Sequence, residues 1–473
     1  MKKKNLAAVS IVLCGTALAS AALWTRPDRA LRILTGGMAH DICSETFVSL
    51  VDPRETIAER RTPGGLMGRI DKAMRYDVDH AHQTVRASIL GAFSSRAIYR
   101  PGIGCTLVYP GESLAPVRLP GVQADHPEES APVETASPAL HAALDASFAA
   151  SAQPARHPVK AVVIMHDGRI IAERYAPGYG VDTPVFSFSV AKSVMNALVG
   201  ILVRDGAISV ADAAPIPAWH GADDPRHAIT IENLMRMDSG LNLDEAAGWT
   251  DLLRPRIQTM FAIPDPFPGD IQAGLVSAPG TRWAYSSATT HILARIVRDA
   301  AGGSGASVQD FAFRELFLPV GMRHATLEMD ATGTPVGASG VLASARDWAR
   351  FGMLYLNDGI VDGKRILPAG WARFSATPTL NANYGAGWWT NRHAPAAAPP
   401  VGMPIMAGVP DDTYYAMGKM GQFIAIVPSR RLVVVWLSRS DAPFFGIRNF
   451  GSLVASAVAT VRGDGHDVAD DHG

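Results

Sequence analysis

A serine stands three residues ahead of a lysine in Ser189-Val190-Ala191-Lys192, and a run of helix formers follows, Val194-Met195-Asn196-Ala197-Leu198-Val199. A serine hydroxyl is a weak nucleophile at neutral pH, because its proton must leave as it attacks. Residues three apart on a helix share one face. An amine on that face can take the proton if it is neutral, and burial disfavours an ammonium. Only eight of the 43 Lys+Arg residues are lysines, and Lys192 alone has a serine three positions before it. The flank Phe186-Ser187-Phe188 is apolar, as burial of the motif requires. The competing reading is a surface helix with an accidental Ser and Lys.

A second motif lies about a hundred residues downstream. Pro279-Gly280-Thr281-Arg282-Trp283-Ala284-Tyr285-Ser286-Ser287 leads into an apolar-periodic helix, His291 to Val297. Pro-Gly marks a tight turn, and Ser286 or Ser287 is suited to cap the helix. Tyr285 then sits on a loop beside a helix mouth, its hydroxyl directed at a cleft. A phenol close to an ammonium ionises more easily and can serve as a base. A core tyrosine packed under the helix is the alternative.

Taken together, the two motifs resemble those of the serine hydrolases of the β-lactamase/penicillin-binding superfamily. The chain is most similar to the branch containing 6-aminohexanoate-dimer hydrolase and related esterases. In that family Ser-x-x-Lys is followed by Tyr-x-Asn or Tyr-x-Ser, here Tyr285-Ser286-Ser287. Between them lies a block like Arg236-Met237-Asp238-Ser239-Gly240-Leu241, and beyond them one like Gly340 to Gly352. The resemblance covers roughly residues 136–462. It implies an α+β fold, an antiparallel sheet flanked by helices with an inserted helical lobe and the site between them. It implies that Ser189 is the nucleophile, that Lys192 and Tyr285 share the base role, and that Ser287 takes the family's Asn position. No metal or organic cofactor is implied.

The family's third motif, Lys-Thr-Gly on a cleft strand, aligns with Ala416-Met417-Gly418. The N–H of the next residue, Lys419, is expected to join that of Ser189 as the oxyanion hole. Losing one such donor typically costs about 3 kcal/mol of transition-state stabilisation. The Lys and Thr that hold a β-lactam carboxylate are missing, which argues against efficient β-lactam hydrolysis. Asp244, Glu245, Trp249 and Asp251 fall where the aminohexanoate branch carries substrate contacts, without the Tyr often found there. The expected reaction is therefore acyl transfer from a small-molecule ester, linear amide or peptide. A D-amino-acid carboxypeptidase and a non-catalytic binding or sensing relative are the alternatives. The intact Ser, Lys and Tyr argue against the latter.

These residues need elements to hold them. An amphipathic helix is predicted over Leu140–Phe148. A hairpin is predicted from Ala161–Met165 and Ile170–Tyr175, joined through Asp167-Gly168. A second hairpin joins Phe423–Val427 to Leu432–Leu437. Residues 215–335 read as mostly helical, and the chain returns to the first lobe near 340. Ahead of this, residues 26–135 form an N-terminal extension with strand-like stretches at Phe47–Val51 and Gly104–Tyr109, and Thr84–Leu90 alternates like a strand. Segment 113–138, rich in Pro, Ala and Glu, reads as a linker. Residues 463–473 read as a disordered tail.

The net charge is −1, with no basic stripe, so nucleic acid is not an expected partner. Lys2-Lys3-Lys4 followed by apolar Leu6–Ala22 makes residues 1–22 a signal peptide, with an uncleaved membrane anchor as the competing reading. The expected location is periplasmic or secreted. Cys14 lies in that segment, so Cys43 and Cys105 remain and are expected to pair in an oxidising compartment, with two buried free thiols as the alternative. His80 with His82 reads as strand-edge polar residues, and the group His220, Asp223, Asp224 and His227 as solvated loop residues, rather than as metal ligands. No Gly-x-Ser-x-Gly elbow, Walker loop or dinucleotide fingerprint occurs.

Overall fold

The computed structural model describes residues 27–60, 65–89, 91–111, 114, 131–149, 159–221, 223–245, 263–392, 401–440 and 443–463. The predicted export segment, Cys14, Trp249, Asp251, most of the linker and the tail beyond Gly463 lie outside them.

The Asp-Gly hairpin forms between β5 (Val159–His166) and β6 (Arg169–Tyr175). Asp167 and Gly168 take φ of 47° and 78°, the two left-handed positions a two-residue hairpin turn needs. Later strands complete a six-stranded antiparallel sheet: β10 (Trp389–Thr390), β11 (Tyr414–Gly418), β12 (Gln422–Val427) and β13 (Leu432–Ser438). Its order is β10-β11-β12-β13-β5-β6. Both faces are covered, so its central strands are apolar at nearly every position. Val163, Ile424, Ile426, Val433 and Val435 face the larger core with helix α6 (Ala345–Leu356). Val162, Ile164, Phe423, Ala425 and Val434 face α2 (Pro138–Ala149) and α7 (Ile447–Gly463). Phe423 stacks on Phe450 there, with ring centroids 4.7 Å apart.

On the α6 side lies the helical lobe, which includes α3 (Ala191–Arg204), α4 (Ile231–Arg236) and α5 (Ser287–Ala300). The first twelve residues of α3 are buried, as expected of a helix apolar on nearly every face. A small sheet, β7 (Val185–Phe186), β9 (Val341–Ala343) and β8 (Thr326–Leu327), in the order β7-β9-β8, joins the lobe to the chain entering α3. The architecture is α+β, an antiparallel sheet flanked by helices beside a helical lobe.

In the N-terminal extension a long helix, α1 (Pro27–Phe47), lies across an antiparallel meander of β1 (Met74–Asp79), β2 (Thr84–Ile89), β3 (Phe93–Arg100) and β4 (Gly104–Val108), with two short helices, Pro53–Arg60 and Gly65–Ala73, between α1 and β1. Ala39, Ile42 and Cys43, at helical spacing, bury against Val85, Ala87 and Ala97. Cys43 and Cys105 are joined by a disulfide with Cα atoms 6.0 Å apart. The strand expected at Phe47–Val51 is not one. Phe47 ends α1, Val48 N–H donates to Ser44 O at 2.9 Å, and Leu50 turns outward at φ 59°. The helical stripe upstream decides the conformation of Phe47, and the apolar residues after it close the helix rather than pair with a sheet.

Candidate active site

The chain enters α3 through a strained turn. β7 ends at Phe186, Ser187 N–H donates to Val341 O at 2.9 Å, and Phe188 takes φ 48°. A bulky residue in that region costs roughly 1–2 kcal/mol and needs surroundings that enforce it. The Phe188 ring packs edge-on against Phe186 at 4.8 Å. Ser189 follows in a single 3-10 turn, Phe188–Val190, half-buried at the mouth of the helix.

One turn on, Lys192 is 3% exposed, and burying an amine without partners is costly. Its Nζ has three: Ser189 Oγ at 3.0 Å, Ser287 Oγ at 3.2 Å and the carbonyl of Ala338 at 3.2 Å. Gly387, at φ 76°, runs against the same turn; a Cβ there would lie 3.0 Å from Lys192 O. Asn196, one turn further along, fixes the helix from the other side. Its amide donates to Ala386 O at 2.8 Å and its oxygen accepts from Trp371 Nε1 at 2.9 Å.

The Tyr285 loop is shaped by the Arg236–Leu241 block. Met237, left-handed at φ 63°, accepts from Ala284 N–H at 2.8 Å, and Asp238 O accepts from Gly280 N–H at 2.8 Å. Gly240 has no room for a side chain, since a Cβ would meet Ser277 O at 2.2 Å. Burial pushes the Asp238 carboxyl up, against a hydrogen bond from Asn233 that lowers it. This loop brings the Tyr285 ring centroid to 4.8 Å from Lys192 Nζ. The ring stacks on Trp389 at 5.7 Å and meets Tyr384 edge-on at 5.8 Å. Of the Gly387-Trp388-Trp389 segment, Trp388 is core and Trp389 backs the tyrosine.

Ser286 caps α5, accepting from Thr289 N–H at 3.2 Å. This leaves Ser287, the first helical residue, to face Lys192. Glu245 grips Ser287 from the solvent side, accepting from its N–H at 2.6 Å and its hydroxyl at 3.0 Å. Asp244 instead pairs with Arg282 at the surface, with Nη1 2.9 Å from Oδ1. On the other wall, Gly418 of β11 abuts the nucleophile turn so closely that a Cβ would lie 2.1 Å from Ser187 O. Lys419 follows with an exposed side chain, while Ala416 and Met417 are buried.

The arrangement thus gathers Ser189, Lys192, Tyr285 and Ser287 in one place, with Gly418 beside them. Sequence reasoning missed both the Ala338 carbonyl, which no residue type marks, and Asn196 as a brace. A polar i, i+4 pair inside an otherwise apolar helix was the available signal for Asn196. The two histidine groups are elsewhere. His82 closes the β1–β2 turn on Asp79, and Asp224 caps a short turn and pairs with Arg226. Among the described residues no group of three or more His, Cys, Asp or Glu could hold a metal.

Residues 144–454 match the family model described as Beta-lactamase. The chain belongs to the β-lactamase family. It is 27% identical over 230 residues to the 6-aminohexanoate-dimer hydrolase of Paenarthrobacter ureafaciens, covering 45% of this chain and 55% of that one. The match thus spans little more than half the length of that relative. Among solved structures, a Bacillus anthracis protein assigned as a 6-aminohexanoate-dimer hydrolase superposes with a TM-score of 0.51 at 22% identity, over 66% of this chain and 81% of that one. A penicillin-binding protein homologue from Caulobacter crescentus gives a TM-score of 0.51 at 14% identity, over 70% of this chain and 100% of its own. These two likenesses establish the fold. The extension before residue 131 lies outside the family match.

Proposed function

We propose that this β-lactamase-family protein is a serine hydrolase that cleaves an ester or a linear amide through an acyl-enzyme on Ser189. The reading rests on the 3.0 Å contact between Lys192 Nζ and Ser189 Oγ at the mouth of a buried helix. Ser189 Oγ bonds to the substrate carbonyl carbon as its proton passes to the Lys192–Tyr285 pair. The carbonyl oxygen becomes an oxyanion facing the N–H groups of Ser189 and Lys419. The tetrahedral adduct collapses, the bond to the alcohol or amine breaks, and the leaving group takes the stored proton. Water then repeats the attack on the acyl-serine and frees the acid.

The cleft strand bears on substrate. Ala416 and Met417 supply neither the ammonium nor the hydroxyl that would grip a carboxylate, so uncharged acyl groups fit better than β-lactams or D-peptides. The experiment is a fluorophosphonate probe applied to wild type and Ser189→Ala, followed by p-nitrophenyl esters and short amides. Labelling of the wild type alone is expected; equal labelling of both removes the nucleophile. Strong labelling by fluorescent penicillin would instead favour a D-amino-acid carboxypeptidase.

Export of the protein is part of the same reading. The Cys43–Cys105 bridge supports it, and two free thiols by non-reducing mass spectrometry would count against it. Among the described residues no helix is long and apolar enough to cross a membrane.

A further inference from the structure

Glu245 has no part in the acyl-transfer scheme above, yet it determines what Ser287 can offer to Lys192. A hydroxyl carries one proton and two lone pairs. An ionised carboxylate can only accept, so the 3.0 Å contact with Glu245 Oε1 takes the one proton of Ser287. Towards Lys192, 3.2 Å away, Ser287 is left with lone pairs alone. The Ala338 carbonyl, also at 3.2 Å, likewise only accepts. Two of the three free directions around the Lys192 nitrogen are therefore filled by N–H bonds. The third points at Ser189 Oγ. In the neutral amine that third direction is the lone pair.

We infer that Glu245 is a positioning residue that holds the Ser287 hydroxyl proton away from Lys192 and so aims the amine's lone pair at Ser189. The inference rests on the base role proposed for Lys192. Without the carboxylate, the Ser287 hydroxyl can rotate and donate its proton into that lone pair. It would then compete with Ser189 for the base. The Ser287 N–H bond to Glu245 Oε2, at 2.6 Å, keeps the carboxylate in register with the start of α5. A helix-capping role alone would give Glu245 the same position, so the test must separate the two.

The test measures the rate of Ser189 acylation by a fluorophosphonate in the full-length protein. Glu245→Ala is expected to slow it about 10–100-fold, the scale of a misdirected reacting group. Glu245→Ala/Ser287→Ala removes the competing hydroxyl and is expected to regain most of that loss, approaching Ser287→Ala alone. Losing a cap would not be repaired by a second deletion, so a double variant as slow as Glu245→Ala overturns the inference. So does a Glu245→Ala chain as fast as wild type. Glu245→Gln offers one acceptor to two donors: its oxygen meets the Ser287 N–H, its NH2 then faces the hydroxyl and can only donate to it, so acylation is expected to slow as in Glu245→Ala. A Gln variant within about fivefold of wild type overturns the orientation argument, even if the Ala variant misfolds. Lys192→Ala and Ser189→Ala run alongside. Full labelling of either sinks the acyl-transfer reading itself, whereas their silence with an indifferent Glu245→Ala sinks only the inference.

Discussion

Tyr285 presents two surfaces to the site, and they can be separated by one atom. Its ring is held by Trp389 and Tyr384 and lies over the Lys192 amine, while its hydroxyl is the only part able to move a proton. Tyr285→Phe retains the stacking and the contact between the ring and the Lys192 amine. It should lower turnover about 10²–10⁴-fold, the usual share of a general acid–base group, while leaving the melting temperature in place. A Phe variant of undiminished rate would leave Lys192 as the sole base. The spacing of Ser189 and Lys192 was legible because it is local, three residues on one helix. Tyr285 was legible through its turn and cap signals. The Ala338 carbonyl was not, because a backbone oxygen has no residue type to mark it, and it reaches Lys192 from 146 positions away. The grip of Glu245 on Ser287 spans 42 positions of sequence, so Glu245 stood out only as one acid among several.

At the scale of elements, the site is a junction between a helix mouth, a loop and a strand, and the strand's approach is set by Gly418. With a Cβ placed 2.1 Å from Ser187 O, Gly418→Ala must push β11 away from the nucleophile turn. Overpacking of this kind costs about 1–3 kcal/mol. The larger effect is expected in catalysis, since a shift near 1 Å can cost about 100-fold. Acylation rates and thermal melting, measured together, should show a deep loss of rate beside a modest loss of stability. Retention of wild-type rate would place the oxyanion donors elsewhere than on Lys419. The central hairpins were readable because both faces of the sheet are buried and their strands form unbroken apolar runs between turn residues. The extension was less so: β2 and β4 were expected, but α1 was read as a strand at its end, since its apolar stripe of Ala39, Ile42 and Cys43 is narrow.

At the scale of the whole molecule, the extension is joined to the catalytic body by buried polar contacts. Glu45 on α1 reaches Arg439, just past β13, and also accepts from Thr56 at 2.8 Å. Burial pushes its carboxyl up, but Arg439, Lys160 and the two hydrogen bonds outweigh that and hold it below the ordinary 4.5. A carboxyl lowered in the folded state stabilises fully above its ordinary value, and the contribution fades as pH falls through the folded one. Arg439→Met leaves the acid buried without its main partner, at a cost of about 3–5 kcal/mol. Chemical denaturation across pH should find wild type and variant close near pH 3 and furthest apart near pH 7. A gap independent of pH would mean that packing, not charge, joins the two parts.

A second acid completes the junction from the opposite direction. Glu328, directly after β8, accepts from Ser44 Oγ at 2.7 Å and Cys105 N–H at 2.9 Å, and His40 Nε2 lies 3.0 Å from its other oxygen. β8 pairs with β9, and β9 pairs with β7, the strand from which Ser187 and Ser189 continue. A shortened protein beginning at residue 131 would strip three ligands from one carboxylate beneath the platform that carries the nucleophile. The part of the chain that looks most like a removable passenger is thus coupled, through three short strands, to the geometry of the reacting hydroxyl.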